Sequence, residues 1–238
     1  MQAGVPQAHP LSAELAAGVQ ALGLDLDATC QARLLAYLDL IQKWSRVYNL
    51  TAVRDPAEML THHLLDSLAV LGPLQRQIAA MRSAGAVEAR TPVRLLDVGS
   101  GAGLPGVVIA ICCPEVLVDC VDTVAKKAAF IQQVAVTLQL PNLRGLHARV
   151  ESLSTRYDMV SSRAFAALAD FVNWSAQALA GQGVWLAMKG KHPADELLAL
   201  PAHTQVFHVE PLRVPGLDAE RCIIWMRHAT PGAPNFPT

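Results

Sequence analysis

The sequence predicts a doubly wound α/β protein: a mostly parallel sheet of seven strands with helices on its faces and a helical extension before it. Three observations carry this. Seven short runs rich in Val, Ile and Leu recur through residues 93–228, helical stretches alternate with them, and a glycine cluster sits directly between the first run and the helix that follows. Strands alternating with helices imply right-handed crossovers and parallel pairing.

The elements follow in order. Residues 11–81 read as helices, with Leu34, Leu38, Ile41, Val47 and Tyr48 near helical spacing in "LLAYLDLIQKWSRVYNL". Asp55 and Pro56 form a cap and a first-turn proline ahead of "AEMLTHHLLDSLAVL". The aperiodic "MRSAGAVEARTP" is the linker candidate. It divides a helical cap, 1–82, from a sheet domain, 83–228. The strand runs are "VRLLDV", "VLVDCVD", "LRGLHARV", "YDMVSSRA", "GVWLAMKG", "QVFHVEPL" and "CIIWMRH". The last two share a short link containing Pro and Gly, which suits antiparallel pairing at an edge. Residues 229–238 read as a flexible tail.

Composition excludes several classes. With 52% hydrophobic and 16% charged residues the chain is globular. A net charge of −1 argues against holding nucleic acid by overall positive field, so any such contact uses a local patch. Five cysteines without a C-x-x-C pair read as reduced thiols of a cytoplasmic protein, and the eight histidines form no metal-ligand pattern. The N-terminal "MQAGVPQAHP" lacks a signal-peptide pattern, and the longest apolar stretch is broken by Pro114 and Glu115. No metal and no membrane partner are expected, and a monomer is.

The glycine cluster "RLLDVGSGAGLPG" asks whether it is a plain turn or a surface that a ligand approaches closely. It follows the first strand and opens a helix, where doubly wound sheets bind nucleotides, and Pro105 suits that helix's first turn. A phosphate loop fails because Val107 and Val108 stand where lysine and a hydroxyl are needed. Gly101, Gly103 and Gly106 satisfy G-x-G-x-x-G, a weak dinucleotide signal. Asp97, ahead of Gly99, Gly101 and Gly103, places an anion beside the loop, which suits an ammonium- and sulfonium-bearing ligand such as S-adenosylmethionine better than a pyrophosphate. Asp122 ends the second strand, placed to accept from ribose hydroxyls, though NAD folds use an acid there too.

At this point the chain resembles a family. "LLDVGSGAGLPGVVIA", "VDTVAKKAAFIQQV", "ARVE", "SSRAF", "LAMKG", the late "ER", and the N-terminal "WSRVYNLTAVRDPAEMLTHHLLDSL" look like the RsmG (GidB) family of bacterial 16S rRNA guanine-N7 methyltransferases, over residues 34–225. The resemblance implies a class I, Rossmann-like methyltransferase fold and S-adenosyl-L-methionine as donor. It implies as substrate guanine 527 of 16S rRNA in the small ribosomal subunit or its precursor. It also implies that Leu104 and Thr123 join the loop and Asp122 around the donor, and that the backbone at Val150 and Glu151 meets adenine. Arg163 is implied to lie beside donor and substrate. Thr123 stands where the family usually has Ser, and the hydroxyl is retained.

Guanine N7 carries a lone pair and no proton, so no general base is required. The chain agrees: "SSRAF" stands where an exocyclic-amine methyltransferase shows N/D-P-P-Y, and no cysteine lies near it. Arg149, Arg163, Lys189 and Arg221 are the candidates for positioning substrate through phosphates or O6, since an arginine on both O6 and N7 would occupy the reacting lone pair. Phe165 either stacks on an extruded base or belongs to the core, and Lys126 and Lys127 either meet phosphate or form a solvated face. His63 and Asp66, one helical turn apart and part of the N-terminal signature with Asn49 and Thr51, either wall the guanine pocket or pair to fix the cap to the sheet. A methyltransferase acting on another RNA, a protein or a small molecule, and an NAD-binding protein without methyl transfer, are the alternatives.

Overall fold

The computed structural model describes residues 9–229. The tail expected at 229–238, apart from Ala229, and most of the N-terminal stretch read for a signal lie outside the described residues.

The helices come first. α1 (Ser12–Ala21) leads into α2 (Ala28–Tyr48), whose Asp27 cap accepts from the Cys30 amide and whose end is turned by left-handed Asn49. Asp55 caps α3 (Pro56–Met59) with Pro56 in its first turn, as the sequence predicts. The single helix expected beyond it is wound differently: Leu60–Leu65 is a π turn before α4 (Asp66–Leu68). One extra residue per turn shifts everything after it round the axis, and such turns mark functional sites often. α5 (Leu71–Ser83) reaches into the expected linker because Ile78 and Met81 remain buried.

The sheet follows as β1 (Val93–Val98), α6 (Gly106–Cys112), β2 (Val116–Asp122), α7 (Ala125–Thr137), β3 (Leu143–His147), β4 (Tyr157–Arg163), α8 (Leu168–Ser175), β5 (Leu179–Lys189), α9 (Ala194–Leu198), β6 (Thr204–Leu212) and β7 (Arg221–His228). Pro105 lies one residue before α6, at its cap. The order is β3-β2-β1-β4-β5-β7-β6, parallel through β5, with β7 reversed and β6 antiparallel to it at the edge. β3 stops short of the expected run, and Val150–Ser152 forms a 3-10 turn instead. β5 starts four residues early, with a register shift against β4 between Tyr157 and Met159.

Successive residues of β1 feed opposite faces. Leu95 joins the cluster formed with α1, α2, α6 and α7, whereas Leu96 joins the one with α8. The amino-terminal helices therefore share one core with a face of the sheet. Because β2 and β3 extend to one side of β1 and β4 lies on the other, a crevice opens above the carboxyl ends of β1 and β4.

Candidate active site

The glycine cluster occupies that crevice, and its three left-handed glycines are bare for different reasons. Gly103 has φ +93°, and a Cβ there would stand 2.4 Å from Val107 Cγ2 and 2.6 Å from Ile131 Cδ1, so packing demands it. At Gly99 (φ +62°) a Cβ would meet the Phe165 ring. At Gly101 (φ +59°) the nearest atom is the Gly99 carbonyl oxygen at 4.0 Å. Only Gly101 faces open space.

The two acidic residues are equally distinct. Asp122 is held by two amides: Gly101 N–H donates to Oδ2 (3.0 Å) and Val124 N–H to Oδ1 (2.9 Å), with Lys127 Nζ 3.6 Å from Oδ2. Asp97, expected beside the ligand, is fully buried and lines neither cavity described below. Its Oδ2 accepts from Gly106 N–H at 3.0 Å and its Oδ1 from Ser161 Oγ at 2.9 Å. Burial raises its pKa to about 6 despite these bonds. Asp97 fastens the start of α6 to β1 and β4, which sets the loop between them. The fully buried Tyr37 secures the loop from α2, its hydroxyl donating to the Ala102 carbonyl at 2.6 Å.

Two cavities meet at this loop. The first, about 460 Å³, lies between the π turn and the sheet and is lined by Arg163, Lys189 and Arg221, with Asp66, Gly101 and Leu104 among the others. The second, about 430 Å³, is lined by Asp122, Thr123, Val150, Glu151 and Arg149, with Lys127 and Trp174 beside them. Gly99 and Ala164 border both. Both volumes suit a small ligand.

Most expected site residues are thus gathered on one edge, divided between two cavities, while Gly103 and Asp97 lie behind it. Arg149, grouped in sequence with the other cations, is exposed beside Asp122, away from Arg163. Phe165 is half-buried in the second cavity, over Gly99 and edge-on to Trp174, with ring centroids 5.7 Å apart. That places it away from the cation-lined cavity. Lys127 lines the second cavity, whereas Lys126 stands over the Tyr48 ring.

The cations of the first cavity are anchored. Arg163 Nη1 donates to Asp66 Oδ2 (2.7 Å) and to the His62 carbonyl (2.9 Å), and Arg221 Nε donates to Asp66 Oδ1 (2.9 Å). Lys189 Nζ meets both oxygens of Glu196, at 3.0 and 2.7 Å. His63 and Asp66 do not bond each other, since His63 Nε2 pairs with Thr51 Oγ1 at 2.8 Å. Asn49 Oδ1 accepts from Arg54 at the end of α2. Asp66 fixes the π-turn helix to β4 and β7.

Residues with no usable sequence signal complete the site. Ala164 takes φ +51°, uncommon for a residue with a Cβ and a mark of strain at functional positions. Ser161, Trp174, Met188 and Glu196 arrive from other elements, and nothing local distinguishes them.

Burial and the nearby Arg163 guanidinium lower the His63 pKa to about 4. The unfolded chain takes up that proton near 6.5 and the folded one near 4, so His63 costs stability as pH falls through that window. Asp97 acts oppositely, because its folded carboxyl binds a proton first below about 6. Exchanging His63→Gln is expected to remove about 2 kcal/mol of the stability lost between pH 7.5 and 5. Urea unfolding of both proteins at the two pH values measures it.

The GidB family model, rRNA small subunit methyltransferase G, matches residues 30–224. A protein of Paracidovorax citrulli named ribosomal RNA small subunit methyltransferase G is 65% identical over 221 residues, covering 92% of this chain and 91% of that one. One of the same name from Acidovorax sp. (strain JS42) is 69% identical over 210 residues, covering 88% and 92%. Among solved structures, TrmN from Thermus thermophilus is similar with a TM-score of 0.49 and 21% identity, over 63% of this chain and 47% of that one. The seven-stranded sheet with reversed β7 is the class I methyltransferase fold. The family match spans well over half of the sequence, and the chain belongs to the rRNA small subunit methyltransferase G family.

Proposed function

We propose that this protein transfers a methyl group from S-adenosyl-L-methionine to N7 of a guanine in 16S rRNA, guanine 527, within the small ribosomal subunit or its precursor. The observation that carries the reading is the pair of cavities meeting at Gly99 and Ala164, one built around a carboxylate and one around anchored cations. The residues of the second cavity fit the donor. Asp122 uses one acceptor site on each oxygen for Gly101 and Val124, which leaves others for ribose hydroxyls. Open space above Gly101, which lines the first cavity beside the shared boundary, admits the amino-acid end of the donor against main chain. Bound there, S-adenosylmethionine supplies a methyl on a sulfonium, an electrophile that requires no further activation.

The chain's own contribution is positioning, which can be worth about 7–11 kcal/mol. Arg163, Arg221 and Lys189 present three cations against two carboxylates, Asp66 and Glu196, so the first cavity keeps a modest positive charge that suits a phosphate or O6. Their pairing limits repulsion of the positive charge that develops on guanine. His63 is poorly suited to be a general base: burial lowers its pKa to about 4, so it binds a proton weakly, and its Nε2 is engaged by Thr51. The rate of the chemical step is therefore expected to stay flat between pH 6.5 and 9 in single-turnover assays, and a limb of unit slope would contradict base catalysis being absent.

The test uses small subunits from a strain lacking the gene, incubated with protein and labelled donor, then mapped by mass spectrometry. The expected product is 7-methylguanosine at position 527. Label in another nucleoside or in protein, or modification persisting in the deleted strain, overturns the reading. With a net charge of −1 the chain has little long-range attraction for free RNA, so a short hairpin is expected to be a far poorer substrate than subunits.

A further inference from the structure

The proposed reaction needs a local surface for RNA outside the two cavities, and the carboxyl end of α2 supplies one. Lys43, Arg46, Val47 and Tyr48 are all exposed there, Val47 at 70% and Tyr48 at 42%. Residues three and four apart share a helical face, so Lys43, Arg46 and Val47 adjoin on one side of the turn and Tyr48 adjoins Trp44 on the other. The half-buried Trp44 fixes the patch, its ring centroid 5.2 Å from that of Tyr48 and 5.3 Å from that of Phe130 on α7. From α7, the exposed Lys126 places its ammonium 5.3 Å from the Tyr48 ring centroid.

Charge and position both single out this surface. Of the nearby acids, Asp55 is occupied in capping α3 through the amides of Ala57 and Glu58, Asp39 lies one turn before Lys43 and pairs with His9, and Glu58 is exposed on α3. Arg54 adds a further cation, bonded to the Ser45 carbonyl at the end of α2. Its neighbours open directly onto the site: Leu50 and Thr51 line the first cavity, and Val124 and Lys127 the second. The surface around Arg213 sets Arg213 and Lys191 against Asp218 and Glu220, in balance. Aromatic rings beside lysine and arginine form the usual platform for single-stranded RNA, rings under bases and cations on phosphates.

We infer that the Tyr48–Lys126 patch holds the single-stranded RNA flanking the target nucleotide. The inference rests on the proposed RNA substrate. Lys126 swings from the ring to a phosphate, and Tyr48 keeps its neighbour stacked.

Filter binding of small subunits and steady-state kinetics on Tyr48→Ala, Tyr48→Phe and Lys126→Gln test it. Tyr48→Ala is expected to weaken subunit binding and raise KM by roughly 5-fold or more, with Tyr48→Phe near wild type. Lys126→Gln should lower the slope of log affinity against log salt by about 0.7. In each case kcat and the affinity for S-adenosylhomocysteine should be unchanged. Binding within twofold of wild type for both Tyr48→Ala and Lys126→Gln overturns the inference. Weakened binding of Lys126→Gln with an unaltered salt slope also overturns it, because the patch would then meet protein. Failure of wild-type protein to methylate guanine N7 overturns the functional proposal instead, since binding is read separately.

Discussion

Asp66→Ala is expected to lose both stability and activity. The carboxylate is 3% exposed and accepts from Arg163 and Arg221 at once, joining the helix after the π turn to β4 and β7. Removing it leaves two guanidiniums side by side in a partly buried cavity, and breaking a buried pair in this way costs roughly 3–5 kcal/mol. The melting temperature should fall by several degrees. Where the variant still folds, kcat/KM should drop more than a hundredfold, because both positioning cations lose their anchor at once. Asp66→Asn separates the two effects, since the amide keeps the shape and one acceptor oxygen but no charge. Its stability should lie between the others while kcat/KM stays low. Thermal melts and turnover on small subunits check this, and a stable, fully active Asp66→Ala would show that the arginines need no anchor.

The glycine loop yields a contrast of comparable size. Gly103→Ala should destabilise the fold by roughly 2–5 kcal/mol, combining left-handed strain with overpacking against Val107 and Ile131. Gly101→Asn should barely affect stability, because asparagine tolerates the left-handed region and the nearest atom to an added Cβ stands 4.0 Å away. It should nevertheless weaken S-adenosylmethionine binding by roughly 10- to 100-fold, the equivalent of about 1.4–2.8 kcal/mol of lost contact. Calorimetry on the two variants measures both quantities. Intact donor binding in a folded Gly101→Asn would mean that the loop is bare only for its turn.

This contrast also marks how far the sequence could be read. The bounds of β1 and β2 coincide with the runs "VRLLDV" and "VLVDCVD", since buried parallel strands are apolar on both faces and end where glycine or a cap begins. The antiparallel pairing of β6 with β7 followed from their short link. The motif found the loop but could not assign its glycines, because their surroundings come from Ile131 and Phe165, far along the chain. Asp97 looked like a ligand carboxylate because its partners, Gly106 and Ser161, lie 9 and 64 residues away. The π turn was hidden for another reason: Leu60–Leu65 carries an ordinary helical pattern, and one extra residue per turn leaves no mark in it. Arg149 and Arg163 follow successive strands, yet they face different cavities across Gly99 and Ala164.

The division of labour between those cavities is most directly tested by a crystal structure with S-adenosylhomocysteine. The account predicts adenosine in the second cavity with its ribose on Asp122, the sulfur at the Gly99–Ala164 boundary, the amino-acid end against Gly101, and the rest of the cation-lined cavity left open for guanine. A nucleoside lodged among Arg163, Lys189 and Arg221 would contradict it.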